Sequence, residues 1–174
     1  MNQVWRTAAV CALAVVCAAS VVSAQEQVFF VVRHAERLDA PAQAPDHAMM
    51  GPDPDLSTAG RARAARLADL LRDAAITRIF TTEYRRTRQT AAPLAERLKI
   101  SPVVAAAKDT PMLLRQLRGA RGRTLIVAHS NTIPEILKRL GVSGAVTIPE
   151  EQYDDLFVVV RGVGSAATLL RLKY

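Results

Sequence analysis

The chain has 174 residues, is 50% apolar and carries a net charge of +7, with 23 Lys and Arg against 16 Asp and Glu. Two cysteines leave no room for a disulfide framework, and 5% aromatic content offers little for stacking on nucleic-acid bases. A basic surface this rich in arginine favours phosphate-bearing partners.

The first segment reads as processing rather than fold. Arg6 precedes an almost wholly apolar stretch of small residues, Thr7 to Val22, and Val22-Ser23-Ala24 has the pattern of a cleavage site. Residues 1–24 are predicted to be a secretory signal peptide, too short in its apolar part for a spanning anchor. Cleavage near Ala24 would leave one periplasmic or secreted domain, 25–174. Cys11 and Cys17 would depart with the signal, and loss of Arg6 would take the net charge from +7 to +6.

Val28-Phe29-Phe30-Val31-Val32 then reads as a buried strand over 27–33, ending in Arg33-His34-Ala35-Glu36. Prolines 41, 45, 52 and 54 place the 38–56 stretch in a long loop, either a lid or disordered. Its Asp46, His47, Asp53 and Asp55 match no calcium or zinc spacing, and no metal is assigned. A helix over 58–74 is capped by Ser57 and presents Ala62, Ala65, Leu67, Leu70 and Leu71 to the sheet. Strand 77–81, helix 86–99, strand 102–106, helix 111–119, strand 123–129, helix 133–140 and strands 156–161 and 167–173 follow. The last two strands would pair through the Gly162-Val163-Gly164-Ser165 turn. This alternation predicts an α/β three-layer α/β/α sandwich, its central sheet mostly parallel with an antiparallel C-terminal edge.

Ligands bind at the carboxyl ends of strands in such sheets, and two of the three histidines, His34 and His129, stand at strand ends. Between them, Thr81 to Thr90 runs from a strand end into a helix start and contains Arg85, Arg86 and Arg88. Free N–H groups and a positive dipole end there would favour an anion, and at least one of the three arginines should enter the crevice. Ser130-Asn131-Thr132 with Pro134 predicts a second helix start facing the same place.

Four segments, Arg33-His34-Ala35, Leu56-Ser57-Thr58-Ala59-Gly60, Thr81 to Thr90 and Ala128-His129-Ser130-Asn131, resemble in order the signatures of the histidine phosphatase, or phosphoglycerate-mutase-like, superfamily. The resemblance covers nearly all of 27–160 and implies that superfamily's fold. It places the nucleophile at His34, phosphate-clamping arginines at Arg33 and Arg86, and a second catalytic and binding histidine at His129. It implies no cofactor. The implied activity is metal-independent hydrolysis of small-molecule or saccharide phosphomonoesters through a phosphohistidine. The arginines would neutralise the equatorial oxygens, and flanking cations favour the neutral imidazole that attacks.

The general acid stays open between Asp109, Glu36 and Glu83, with Asp109 favoured over Glu36. Ala35 and Ser130 stand where the family commonly has glycine, and the insertions of a mutase are missing. Two alternatives remain: a silent phosphate-binding protein on the same scaffold, or a mutase-type phosphoryl transferase. The sequence names no physiological substrate and no oligomeric state, and it supports neither a nucleic-acid partner nor a stable membrane anchor.

Overall fold

The computed structural model describes residues 27–38, 53–118, 122–162 and 166–174. The expected signal peptide, most of the 38–56 loop with Asp46 and His47, and the middle of the last turn lie outside the described residues. Ten elements follow in chain order: β1 Gln27–Arg33, α1 Thr58–Leu71, β2 Ile76–Thr81, α2 Arg85–Leu98, β3 Val103–Val104, α3 Thr110–Arg118, β4 Arg123–Ala128, α4 Ile133–Arg139, β5 Asp155–Arg161 and β6 Thr168–Lys173.

The six strands form one sheet in the order β3-β2-β4-β1-β5-β6. β1 to β4 are mutually parallel, and β5 and β6 form the antiparallel edge, as the pattern of elements predicts. Strand period 2 splits the core in two. Phe29, Val31, Ile126 and Phe157 pack on one face with Leu113 and Leu117 of α3 and Ile133, Ile136 and Leu137 of α4. Phe30, Val32, Leu125 and Val127 pack on the other with Leu67, Ala68 and Leu71 of α1 and Ala91 and Leu94 of α2. Each buried aliphatic or aromatic side chain contributes about 1.5–3 kcal/mol.

The sheet-facing stripe of α1 differs from the expected one. Gly60, Ala64, Leu67, Ala68 and Leu71 are buried, whereas Ala62, Ala65 and Leu70 are exposed. Alanines on several faces leave the helical phase undetermined in the sequence; Gly60 sets it. A Cβ there would collide with the backbone carbonyl of Glu36, so only glycine lets the first turn of α1 close on the β1 exit. Ser57 caps α1 as expected, accepting from the Gly60 N–H at 3.1 Å. Its own N–H donates to the Glu36 carbonyl at 2.9 Å.

β3 keeps only two paired residues against β2. As an edge strand it has one partner, and both its side chains are exposed.

Candidate active site

The two histidines meet because β1 and β4 are parallel neighbours in a fixed register. Arg33 is paired with Ala128, and the His34 N–H extends the ladder to the Ala128 carbonyl at 2.9 Å. His34 and His129 therefore leave the two strands at the same level. Their ring centroids lie 5.3 Å apart, edge to face, and both side chains are fully buried.

His34 Nδ1 lies 2.8 Å from the Ala35 carbonyl. A carbonyl can only accept, so Nδ1 carries the proton and Nε2 is the basic nitrogen. The Ala35 N–H donates to Thr90 Oγ1 at 2.9 Å, and that hydroxyl donates back to the Arg86 carbonyl at 2.7 Å. The histidine loop is thus tied to α2. Ala35, standing where the family commonly has glycine, fills a small cluster with Leu56 and Ala64.

His129 Nε2 is 3.1 Å from Thr82 Oγ1, which is 2.9 Å from Thr87 Oγ1; the latter reaches the Tyr84 carbonyl at 2.8 Å. One ordering satisfies every contact: His129 Nε2–H donates to Thr82, Thr82 to Thr87, and Thr87 to the carbonyl. Thr132 does not cap α4 with its side chain. Its hydroxyl instead accepts from the His129 N–H and donates to the His129 carbonyl, both at 3.2 Å, which fixes the second histidine's backbone.

Of the three arginines that open α2, Arg86 is the buried one, while Arg85 and Arg88 are exposed. Its guanidinium lies 4.2 Å over the Tyr84 ring and 3.7 Å from the Asp53 carboxylate. Asp53 also accepts from the first N–H of α2, at 2.9 and 3.0 Å. Asp55 binds Gln89 at 2.6 Å and Arg85 at 2.7 Å. These two aspartates hold the loop end against the helix start.

Arg33, 1% exposed, is held by the 149–153 segment. Nη1 donates to the carbonyls of Pro149, Glu150 and Gln152 at 3.2, 2.7 and 3.3 Å. Nη2 faces the Glu150 carboxylate at 3.0 Å and the Tyr153 hydroxyl at 3.4 Å. The Tyr153 ring lies 4.0 Å beneath the guanidinium carbon, a stacked cation–π geometry.

The candidate acids occupy other places. Glu36 takes a bidentate ion pair from Arg63, the shortest contact 2.6 Å. Burial alone would raise its carboxyl, but the Arg63 hydrogen bonds and charge outweigh burial and hold it below the ordinary 4.5. Asp109 accepts from the Met112 N–H at 2.9 Å and so caps α3. Glu83 accepts from the Ala107 N–H at 2.8 Å. Among the described residues, no group of three or more His, Cys, Asp or Glu side chains is placed to hold a metal ion.

Sequence reasoning missed Glu150, Tyr153, Tyr84 and Thr82. One signal pointed to the first pair: Glu150, Glu151, Asp154 and Asp155 crowd together in a basic chain, just before a strand. β5 is antiparallel to β1, with Leu156 opposite Val32, so its approach segment must lie at the end where β1 releases Arg33 and His34.

Residues 29–108 match the profile of the histidine phosphatase superfamily (branch 1). No curated protein matches the sequence. Among solved structures, the protein histidine phosphatase SixA complexed with tungstate is similar at 14% identity and TM-score 0.61, covering 84% of this chain and 96% of that one. The mycobacterial glucosyl-3-phosphoglycerate phosphatase Rv2419c is similar at 17% identity and TM-score 0.62, covering 83% and 97%. A structure described as mycobacterial hydrolase 1 is similar at 13% identity and TM-score 0.62, covering 86% and 99%. At these identities the likeness establishes the fold, and the stretch that matches the histidine phosphatase superfamily profile, 29–108, holds three of the four segments that resemble that superfamily.

Proposed function

We propose that the chain is a metal-independent phosphomonoesterase that works through a phosphohistidine on His34. The observation that carries this reading is the pair of in-register strand ends. They set His34 beside His129, with Nδ1 of His34 tied to the Ala35 carbonyl so that Nε2 presents its lone pair. Arg33 and Arg86, both buried, supply the donors that a phosphoryl group needs on its equatorial oxygens. His129, whose Nε2–H is held by Thr82 in the resting site, turns that N–H to the transferring group when substrate enters and balances its growing charge. Water then hydrolyses the phosphohistidine.

The relatives by fold are named for quite different phosphoryl substrates, a protein histidine in one case and a glucosyl phosphoglycerate in another. What such substrates share is the phosphoryl group, and small-molecule or saccharide phosphates are the class read here. The N-terminal pattern supports export, with cleavage near Ala24; an exported protein whose N-terminus is Gln25 is the expected result of terminal sequencing.

Hydrolysis of an aryl phosphate by residues 25–174, measured in excess chelator beside His34→Ala, tests the reading. Chelator-resistant turnover that falls at least ~10⁴-fold in the variant is expected for loss of a nucleophile. Turnover that survives the substitution assigns the chemistry elsewhere.

A further inference from the structure

We propose that Glu150 is the general acid of this reaction, parked in the resting enzyme on the guanidinium edge that the phosphoryl group takes. The inference rests on the phosphatase reading above. Its carboxylate touches the residue preceding one histidine and the residue following the other: Oε2 lies 3.0 Å from Arg33 Nη2, and Oε1 lies 3.4 Å from Ser130 Oγ. The other nearby carboxylates hold structural posts, Glu36 on Arg63, Asp109 and Glu83 on backbone N–H groups, Asp53 on the first turn of α2.

The two edges of Arg33 do different work. Nη1 is fixed by three backbone carbonyls of the 149–153 segment, which keep the guanidinium in place wherever the Glu150 side chain points. Nη2 faces the side-chain oxygens of Glu150 and Tyr153, and side chains can swing. Glu150 is one-third exposed while Arg33 is almost fully buried, so the carboxylate has somewhere to go.

A phosphoryl dianion arriving at Nη2 displaces the carboxylate and leaves two anions side by side. Like charges at that range share a proton, which Glu150 takes from solvent. In the first step the Nε2 lone pair of His34 forms the N–P bond while the ester P–O bond breaks. The P–O electron pair goes to the leaving oxygen, which receives the Glu150 proton and departs as an alcohol. In the second step water forms a P–O bond as the N–P bond breaks, its electrons return to Nε2, and Glu150 accepts the proton from the water. Release of orthophosphate lets Glu150 lose that proton and return to Arg33. The arrangement keeps an unoccupied buried guanidinium neutralised between turnovers, and it arms the acid only when substrate is present.

The test compares kcat/KM, which reports transfer to His34 alone, for p-nitrophenyl phosphate and for glycerol phosphate. In Glu150→Gln the alkyl ester is expected to lose about 100-fold or more, the range for a removed general acid. The aryl ester, whose leaving group needs no proton, should lose less than about tenfold. Glu150→Asp should recover part of the alkyl activity, because a carboxyl remains. Equal losses on both esters, no loss on either, a gain on both, or an aspartate variant no better than glutamine would overturn the assignment. Failure of the underlying reading looks different: the unsubstituted enzyme would cleave neither ester, or His34→Ala would keep cleaving both.

Discussion

Arg33 closes a central strand and gives its donors to the 149–153 segment, 116 residues or more downstream, whereas Arg86 opens a helix and is held by Tyr84 two residues before it and by Asp53 across the loop. Both guanidiniums are buried and both face the same crevice in the reading above, yet their surroundings differ in kind. Arg33 is bracketed by backbone carbonyls, a carboxylate and a ring from one segment, so it serves as a strut for that segment as well as an anion donor. Each faces a carboxylate one-third exposed, but the Arg86 ion pair is longer, at 3.7 Å against 3.0 Å. Arg33 thus braces a distant segment of the fold, whereas Arg86 joins a loop end to a helix start.

Truncating the two should expose this. Both Arg33→Ala and Arg86→Ala are expected to cut phosphatase turnover by about 10³-fold, as loss of a charge-stabilising donor does. Their stabilities should part. Removing Arg33 leaves three carbonyls without their donor, a loss of about 2–4 kcal/mol, or a fall of about 10 °C in Tm for a chain of this size. Arg86→Ala should cost less than half of that. Calorimetry of the two variants reads the difference directly, and equal Tm losses would break the comparison.

A smaller effect sits on the helix that backs the site. Gly60→Ala places a methyl on the Glu36 carbonyl, and a strain of about 1–3 kcal/mol is expected from forcing that contact apart, read as a lower denaturant midpoint. Glu36 adds a pH signature. Its folded carboxyl is held below 4.5, so the ion pair with Arg63 stabilises the fold above that pH and the contribution is lost as pH falls through the depressed folded value. Glu36→Gln should therefore cost about 1 kcal/mol at pH 7 and nothing once the pH lies below both values. The smallest change is Tyr153→Phe. It keeps the ring 4.0 Å from Arg33 and removes only a hydroxyl at 3.4 Å. Less than about 0.5 kcal/mol is expected, against about 1–2 kcal/mol for Tyr153→Ala, which removes the stacking.

The same contrast explains what could be read before folding. His34, His129, Arg33 and Arg86 stand beside strand ends and a helix start, where local pattern and chemistry coincide, and the parallel register then brings the histidines together without further information. The residues alone leave Arg85, Arg86 and Arg88 equivalent, and the family resemblance singles out Arg86, whose carbonyl Thr90 ties to Ala35. Glu150 and Tyr153 lie in an irregular stretch with no period to read. Their position depends on β5 lying antiparallel to β1, a long-range fact that periodicity does not carry. The phase of α1 failed for a related reason: Leu70 and Ala65 suit a helix as well outside as inside, and the deciding contact is a backbone approach at Gly60. Asp109 follows β3, and its short side chain caps the start of α3.

The most direct measurement is trapping of the intermediate. The enzyme would be mixed with excess p-nitrophenyl phosphate, quenched at alkaline pH within the first turnovers and mapped by peptide mass spectrometry. One phosphoryl group on the peptide that carries His34, and none in His34→Ala, is the expected result. A label on His129, or turnover with no labelled histidine at any quench time, would contradict the assignment on which the whole site rests.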